Sequence, residues 1–339
     1  MSALALPAAI LVLASTTCPS LRDAPIIGVL AVPVDHSDCI TVSQKALYGE
    51  ASGATSCFHS LYVKWLEAAG ARVVPLPFDL PRPELDVLLR SINGALITGG
   101  ETDLSDLRSP YMETASYIYQ HALGAHADGE TWPLWGTCMG MQVLSVLGAA
   151  DPSVLLHHAY DSEQLQLPLT LAPAAAASAL LCKDCLPGDS LDTLTRVNST
   201  VNLHHDGVPP SAFAAGSTLS RAFHVLSTNV DAKGKPFVST IEATGGAKIF
   251  GVQWHPERPQ FEFDVAGDTA FMSHSSAIAS AMFAVASRLV RFARCNARRF
   301  ASPAAEASAL IYQWKPVGDT SYQAYFFGGR PGERKEHQP

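Results

Sequence analysis

The chain has 339 residues, of which 47% are hydrophobic and 16% charged, enough apolar material for a large core and too little charge for long disordered stretches. Its formal net charge of −8 excludes a nucleic-acid binder, because affinity for phosphate backbones comes mainly from clustered Lys and Arg, and no basic run is present.

Residues 3–14 form an apolar stretch broken once by Pro7 and followed by Ser15, Thr16 and Thr17. This is the pattern of a secretory signal peptide, too short to span a bilayer, although Met1 and Ser2 bring no Lys or Arg ahead of it. Residues 1–19 are therefore expected to be a leader, with no membrane insertion of the remaining chain. The acceptor triplet Asn198-Ser199-Thr200 and the seven cysteines favour the same secretory route.

The run 25–33, bounded by prolines, reads as a buried opening strand. After a polar segment at 35–54, residues 58–69 place Leu61, Tyr62, Trp65 and Leu66 at helical spacing, with Gly70 as the stop. Residues 72–76 supply the next strand, so a parallel pair with a right-handed crossover is expected. The alternation continues with a helix near 83–91, a strand at 94–100 closed by Gly99 and Gly100, a helix at 111–125, a strand at 132–137 and a helix at 139–149. From 151 to 216 the pattern loosens into sheet-edge elements and loops. Strands return at 223–228, 237–242 and 248–254, followed by a long helix at 276–294. Residues 309–314 and 322–327 read as further strands. No internal repeat is present. The working assignment is a single α/β domain over 22–329, ending in a disordered tail at 330–339.

Gly136-Thr137-Cys138-Met139-Gly140 lies between a strand and a helix and has the form of a nucleophile elbow. Small neighbours relieve the sharp turn and let backbone and substrate approach the reactive side chain. The positive end of the helix dipole favours a thiolate there, and its unpaired N–H groups are ready for an oxyanion. An isolated cysteine is usually just a buried core residue; the glycine frame, the strand before and the helix after point instead to a nucleophile. Gln253-Trp254-His255-Pro256-Glu257 follows another strand. In an extended segment Glu257 points the same way as His255 and reaches its far ring nitrogen, which fixes the tautomer and supports an imidazolium. Cys138, His255 and Glu257 together make a nucleophile, a base and an orienting acid.

These motifs resemble the class I glutamine amidotransferase superfamily. Further segments, among them Tyr62-Val63-Lys64-Trp65-Leu66-Glu67, Gly70-Ala71-Arg72-Val73-Val74-Pro75 and Ala309-Leu310-Ile311-Tyr312-Gln313, look like the gamma-glutamyl hydrolase branch, in order across nearly the whole chain. The resemblance implies a flavodoxin-like α/β fold with a mostly parallel central sheet and helices on both faces. It also implies cleavage of gamma-linked tails on folylpolyglutamate or antifolate polyglutamate, in a lysosomal, vacuolar or extracellular setting. By the same analogy Cys138 attacks the amide carbon, His255 protonates the departing amine, and water resolves the thioester. Met139 N–H and one N–H of Gly99 or Gly100 would form the oxyanion hole. His204, in Asn202-Leu203-His204-His205-Asp206, matches a substrate-positioning histidine of the family, with His205 as the alternative match; where the family often has an aromatic soon after, this chain has Asp206-Gly207-Val208. The resemblance requires no cofactor and allows a homodimer.

The remaining cysteines read as structural. Cys39 and Cys57 bracket the polar segment and are placed to bridge, Cys182 pairs with Cys185 or with Cys295, and Cys18 leaves with the leader. Cys182-Lys183-Asp184-Cys185 lacks the second ligand pair of a zinc site, so no metal is expected. Two rival readings share the triad: a glutaminase serving a synthetase, and a relative that binds gamma-glutamyl ligands without turnover.

Overall fold

Ile26-Ile27-Gly28-Val29-Leu30 carries no side chain that needs water, and it forms β1 (Ile26–Leu30) with every residue buried. Alternate residues of a strand face opposite sides, so Ile26 and Leu30 enter one apolar cluster and Ile27 and Val29 another. The computed structural model describes residues 22–36, 39, 53–264, 267, 269–318 and 323–328. The leader, Cys18, most of the polar segment at 35–54 and the tail at 330–339 lie outside the described residues.

After β1 come β2 (Val32–Pro33), β3 (Ser56–His59), α1 (Ser60–Ala68), β4 (Arg72–Leu76), α2 (Arg82–Ser91), β5 (Ala95–Ile97), α3 (Pro110–Ala127), β6 (Leu134–Thr137) and α4 (Met139–Ala149). The second half contributes β7 (Ser162–Leu167), β8 (Thr170–Leu171), α5 (Ser190–Arg196), β9 (Thr200–His204), α6 (Thr218–Ala222), β10 (Phe223–Val230), β11 (Pro236–Ala243) and β12 (Ile249–Val252). Then follow α7 (Ser276–Arg294), α8 (Pro303–Ala309), β13 (Val317–Gly318) and β14 (Gln323–Phe327).

The main sheet has the order β4-β1-β5-β6-β12-β11-β10-β8. Neighbours from β4 to β12 pair in parallel. Numbered by their own sequence these strands run 2-1-3-4-5, the flavodoxin-like order of open α/β sheets. β11, β10 and β8 extend the sheet antiparallel. One apolar cluster draws on α2, α3 and α4 and the other on α1, α5 and α7, so helices cover both faces. α7 is long and apolar enough to cross a membrane, but its apolar face, from Ile278 to Ala293, is buried in the second cluster and it packs against α1 and α5. It is a core helix.

Three segments depart from the expectation, the first being Phe58 and His59, expected to open the helix at 58–69, which instead end β3 and cap α1. Residues 309–314, expected as a strand, form the end of α8 and a 3-10 turn at Ile311–Gln313. Ser302 accepts a hydrogen bond from Ala305 N–H (3.1 Å) and Pro303 occupies the first turn, a helix start that an alanine-rich segment then continues. Within the loosely patterned 151–216 region, β7 and β9 pair as a separate two-stranded sheet and α5 is a helix. β14 joins a small sheet of order β13-β14-β3-β2. Cys39 bonds to Cys57, and of the two pairings open to Cys182 the one with Cys185 forms; Cys295 is also oxidised.

Candidate active site

β5, β6 and β12 end side by side, with Ile97 opposite Gly136 and Gly136 opposite Gly251. The segments that leave these strands therefore emerge together at the carboxyl edge of the sheet, where open α/β folds place their ligands. They carry Gly99 and Gly100, Cys138, and His255 with Glu257.

Cys138 has φ 53° and ψ −112°, a conformation that non-glycine residues rarely adopt. Both sides hold it there: its N–H donates to Val252 C=O at 2.7 Å, and its C=O accepts from Met141 N–H (2.9 Å) and Gln142 N–H (3.2 Å). The flanking glycines are required by close approach. A Cβ on Gly136 would lie 2.5 Å from the backbone of Gly140, and a Cβ on Gly140 would overlap the carbonyl of Ile97. Cys138 is the N-cap of α4, so the N–H groups of Met139 and Gly140 begin a helix without intrahelical acceptors.

His255 arrives by a different backbone from the one expected. β12 stops at Val252, and residues 253–257 bend rather than stay extended, since the His255 N–H leaves the main sheet to donate to Val201 C=O of β9 (2.8 Å) and Pro256 has no N–H to give. The expected contact forms nonetheless. His255 Nδ1 lies 2.7 Å from Glu257 Oε1, and the imidazole also hydrogen-bonds Cys138, which leaves Nε2 for the sulfur. All three side chains are buried, Cys138 at 6% exposure, His255 at 4% and Glu257 at 1%. Burial works against charge on His255, but the Glu257 carboxylate, the Cys138 sulfur and its hydrogen bonds to both override it and lift the imidazole to about 9. The ring is therefore an imidazolium at neutral pH.

Gly99 sits among these groups. A Cβ there would be 2.9 Å from Tyr62 Oη, 3.1 Å from His255 Cε1 and 3.3 Å from Cys138 Cβ. Its N–H donates to Tyr62 Oη at 2.8 Å. Burial, and then the Glu257 charge, hold the Tyr62 hydroxyl well above its ordinary range, so it stays protonated. Gly100 lies against Met139, whose Cε would be 3.2 Å from a Cβ at that position. Gln253 Nε2 reaches Cys138 Sγ at 3.6 Å, while its Oε1 accepts from Gln142 Nε2 (3.3 Å), which also donates to Asp206 C=O (3.0 Å).

His204, at the end of β9, is buried beside this cluster. Its Nδ1 donates to Asp206 C=O at 2.8 Å, and Nε2 is buried without a hydrogen-bond partner among the described residues. Burial pushes it down to about 3, so it is neutral and Nε2 is a free acceptor. His205 instead lies largely exposed, with Nε2 3.8 Å from Glu163. Among the described residues no three His, Cys, Asp or Glu side chains gather as a metal site.

Sequence reasoning passed over Tyr62, Gln142 and Gln253. Gln253 alone left a signal, a polar residue directly after the apolar run Ile249-Phe250-Gly251-Val252.

The peptidase C26 family profile matches residues 25–257. The mouse gamma-glutamyl hydrolase is 36% identical over 272 residues, covering 78% of this chain and 81% of the relative. The human enzyme gives the same identity and coverage, and gamma-glutamyl hydrolase B of Dictyostelium discoideum is 30% identical across 88% of this chain and 80% of its own. Among solved structures, the glutaminase domain of Trypanosoma brucei CTPS with bound acivicin is 12% identical with a TM-score of 0.45, covering 76% of this chain and 94% of that one. The match over most of the chain, both to the profile and to relatives above 30% identity, places this chain in the peptidase C26 family.

Proposed function

We propose that this chain hydrolyses gamma-glutamyl bonds, with folylpolyglutamate or antifolate polyglutamate as substrate, through a gamma-glutamyl thioester on Cys138. The observation that carries the reading is the buried arrangement of Cys138, His255 and Glu257 at the edge of the sheet, in a chain whose relatives are named gamma-glutamyl hydrolases. The thiolate attacks the gamma-amide carbon and a C–S bond forms. The tetrahedral oxyanion collapses, the C–N bond breaks, and His255 gives its proton to the departing amine. The now neutral His255 takes a proton from water, the hydroxide adds to the thioester carbon, and the C–S bond breaks to release gamma-glutamate carboxylate and the thiolate. Glu257 supports the charge on His255 in each half of the cycle.

The oxyanion falls to the N–H of Met139 at the start of α4 and to that of Gly100, since Gly99 gives its own N–H to Tyr62. Removal of one such donor typically costs about 100- to 1,000-fold in rate. His204 Nε2, a buried acceptor with no partner among the described residues, takes a substrate N–H and so positions the tail. A secretory location, lysosomal, vacuolar or extracellular, is supported by the oxidised cysteine pairs, and Asn198 is exposed for a glycan.

The test is to incubate the protein with folate pentaglutamate and, separately, with free glutamine, each before and after thiol alkylation. Shortened tails that vanish on alkylation support the reading. Turnover of glutamine with intact pentaglutamate, or binding without any turnover, overturns it.

A further inference from the structure

Glu262 is fully buried, and the mechanism above does not use it. Both its oxygens meet Arg258 Nη1, at 3.0 and 2.9 Å, and Thr269 Oγ1 donates to Oε1 at 3.3 Å. A tight turn sets this geometry, since the N–H groups of Phe261 and Glu262 both donate to Arg258 C=O at 3.0 Å. On its other side Arg258 Nε lies 4.0 Å from Glu257 Oε1, the oxygen that holds His255 at 2.7 Å. From the sulfur outward the groups therefore follow one another as imidazole, carboxylate, guanidinium and carboxylate.

The arrangement answers a difficulty within the triad. Glu257 Oε2 is buried with no hydrogen-bond partner among the described residues, and a buried carboxylate short of hydrogen bonds takes up a proton unless a positive charge stands close. Arg258 supplies that charge. An unanchored guanidinium would close onto Glu257 and compete with His255 for the same oxygen; Glu262 holds it back. We propose that Arg258 and Glu262 are positioning residues of the hydrolytic site, with Glu262 fixing the guanidinium behind Glu257 so that Glu257 stays ionised and keeps its near oxygen for His255. This rests on the reading in which His255 serves Cys138.

The other titratable groups around His255 do not substitute for this pair. Tyr62 of α1 stays protonated, and His59 at the end of β3 and His204 at the end of β9 are held neutral by burial. Lys64 of α1 acts on His59, and His205 and Asp206 act on His204, one step further from the imidazole. Apart from the sulfur, the charges that face His255 among the described residues are Glu257 and, behind it, Arg258 and Glu262, with Asp264 one step further out through Thr269.

Glu262→Gln keeps the shape and removes the charge. Arg258 then loses the counter-charge of Glu262, which disfavours the imidazolium directly and draws Glu257 away from it. Two readouts follow: the pH dependence of kcat/KM on folate pentaglutamate, and the pH dependence of Cys138 alkylation by iodoacetamide, which needs no substrate. In Glu262→Gln the alkaline limit of kcat/KM falls by about one pH unit, so kcat/KM drops roughly twofold at pH 8 and close to tenfold at pH 10 with KM unchanged. Replacing both partners, Arg258→Met with Glu262→Gln, removes the two buried charges together, so this variant is expected to fold if the single one does not. Glu257 then lacks its supporting cation, and the acid limit of the alkylation profile rises by a similar amount. A purely structural pair would lower thermal stability in both variants and leave both limits where the wild type has them, which would overturn the proposal. A shifted alkylation profile without pentaglutamate turnover would uphold the pair and remove only the substrate reading.

Discussion

Glu257→Gln is the sharpest perturbation of the charge arrangement, because Gln keeps the volume of the side chain while removing the carboxylate that holds His255 at 2.7 Å. The rise of the imidazole from 6.5 to about 9 corresponds to on the order of 3 kcal/mol at about 1.36 kcal/mol per pH unit. The largest influence on the ring is burial, which opposes charge, and Glu257 is the largest that favours it. Without the carboxylate the buried ring turns neutral near or below its ordinary value. The variant should lose about 100-fold in kcat/KM at pH 7, with its alkaline limit moved from near pH 9 to below pH 7. The measurement is kcat/KM for folate pentaglutamate between pH 4 and 10, beside the rate of Cys138 alkylation over the same range. Stability follows the same sign. A folded pKa above the unfolded one contributes fully below about pH 6.5 and loses that contribution as pH rises through about 9. The wild-type melting temperature should therefore fall between those limits relative to the variant. A Glu257→Gln profile that overlays the wild type up to pH 9 would refute the reasoning.

Gly140→Ala drives a methyl into the carbonyl of Ile97; an overpacked site of this kind costs about 1–3 kcal/mol, and thermal melting should show the loss together with reduced turnover. Gln253→Leu removes the amide that reaches the sulfur at 3.6 Å and the acceptor used by Gln142. Steady-state kinetics should register a roughly tenfold fall in kcat/KM, the scale of one hydrogen bond to a charged group. His204→Leu deletes the buried acceptor, so KM for pentaglutamate should rise with kcat little changed; a fall in kcat at constant KM would remove its positioning role.

What could be read in the sequence follows from how local each signal is. β4 and the helices α4 and α7 matched their expected bounds because apolar periodicity and the stop residues lie within the segment itself. β7 and β9 were lost in a loosely patterned stretch because their half-buried faces come from pairing with each other, not from an apolar run. Residues 309–314 misled for the opposite reason: their apolar content reflects docking of Ile311 into the core, while Ser302 and Pro303 upstream had already set a helix. At the site, the glycine frame announced Cys138, and the spacing of His255 and Glu257 announced their contact, although the backbone between them bends. Tyr62, Arg258 and Glu262 were silent because their partners are brought up by the fold or by a turn: Tyr62 looks like any core aromatic of α1, and Glu262 like any surface acid until its burial is known.

The central claim is that the Cys138 sulfur forms the bond to substrate, and Cys138→Ala tests it most directly when turnover and binding are measured on the same preparation. Pentaglutamate cleavage should fall by at least about 1,000-fold with the affinity for the intact substrate retained. Cleavage by Cys138→Ala near the wild-type rate would contradict the account.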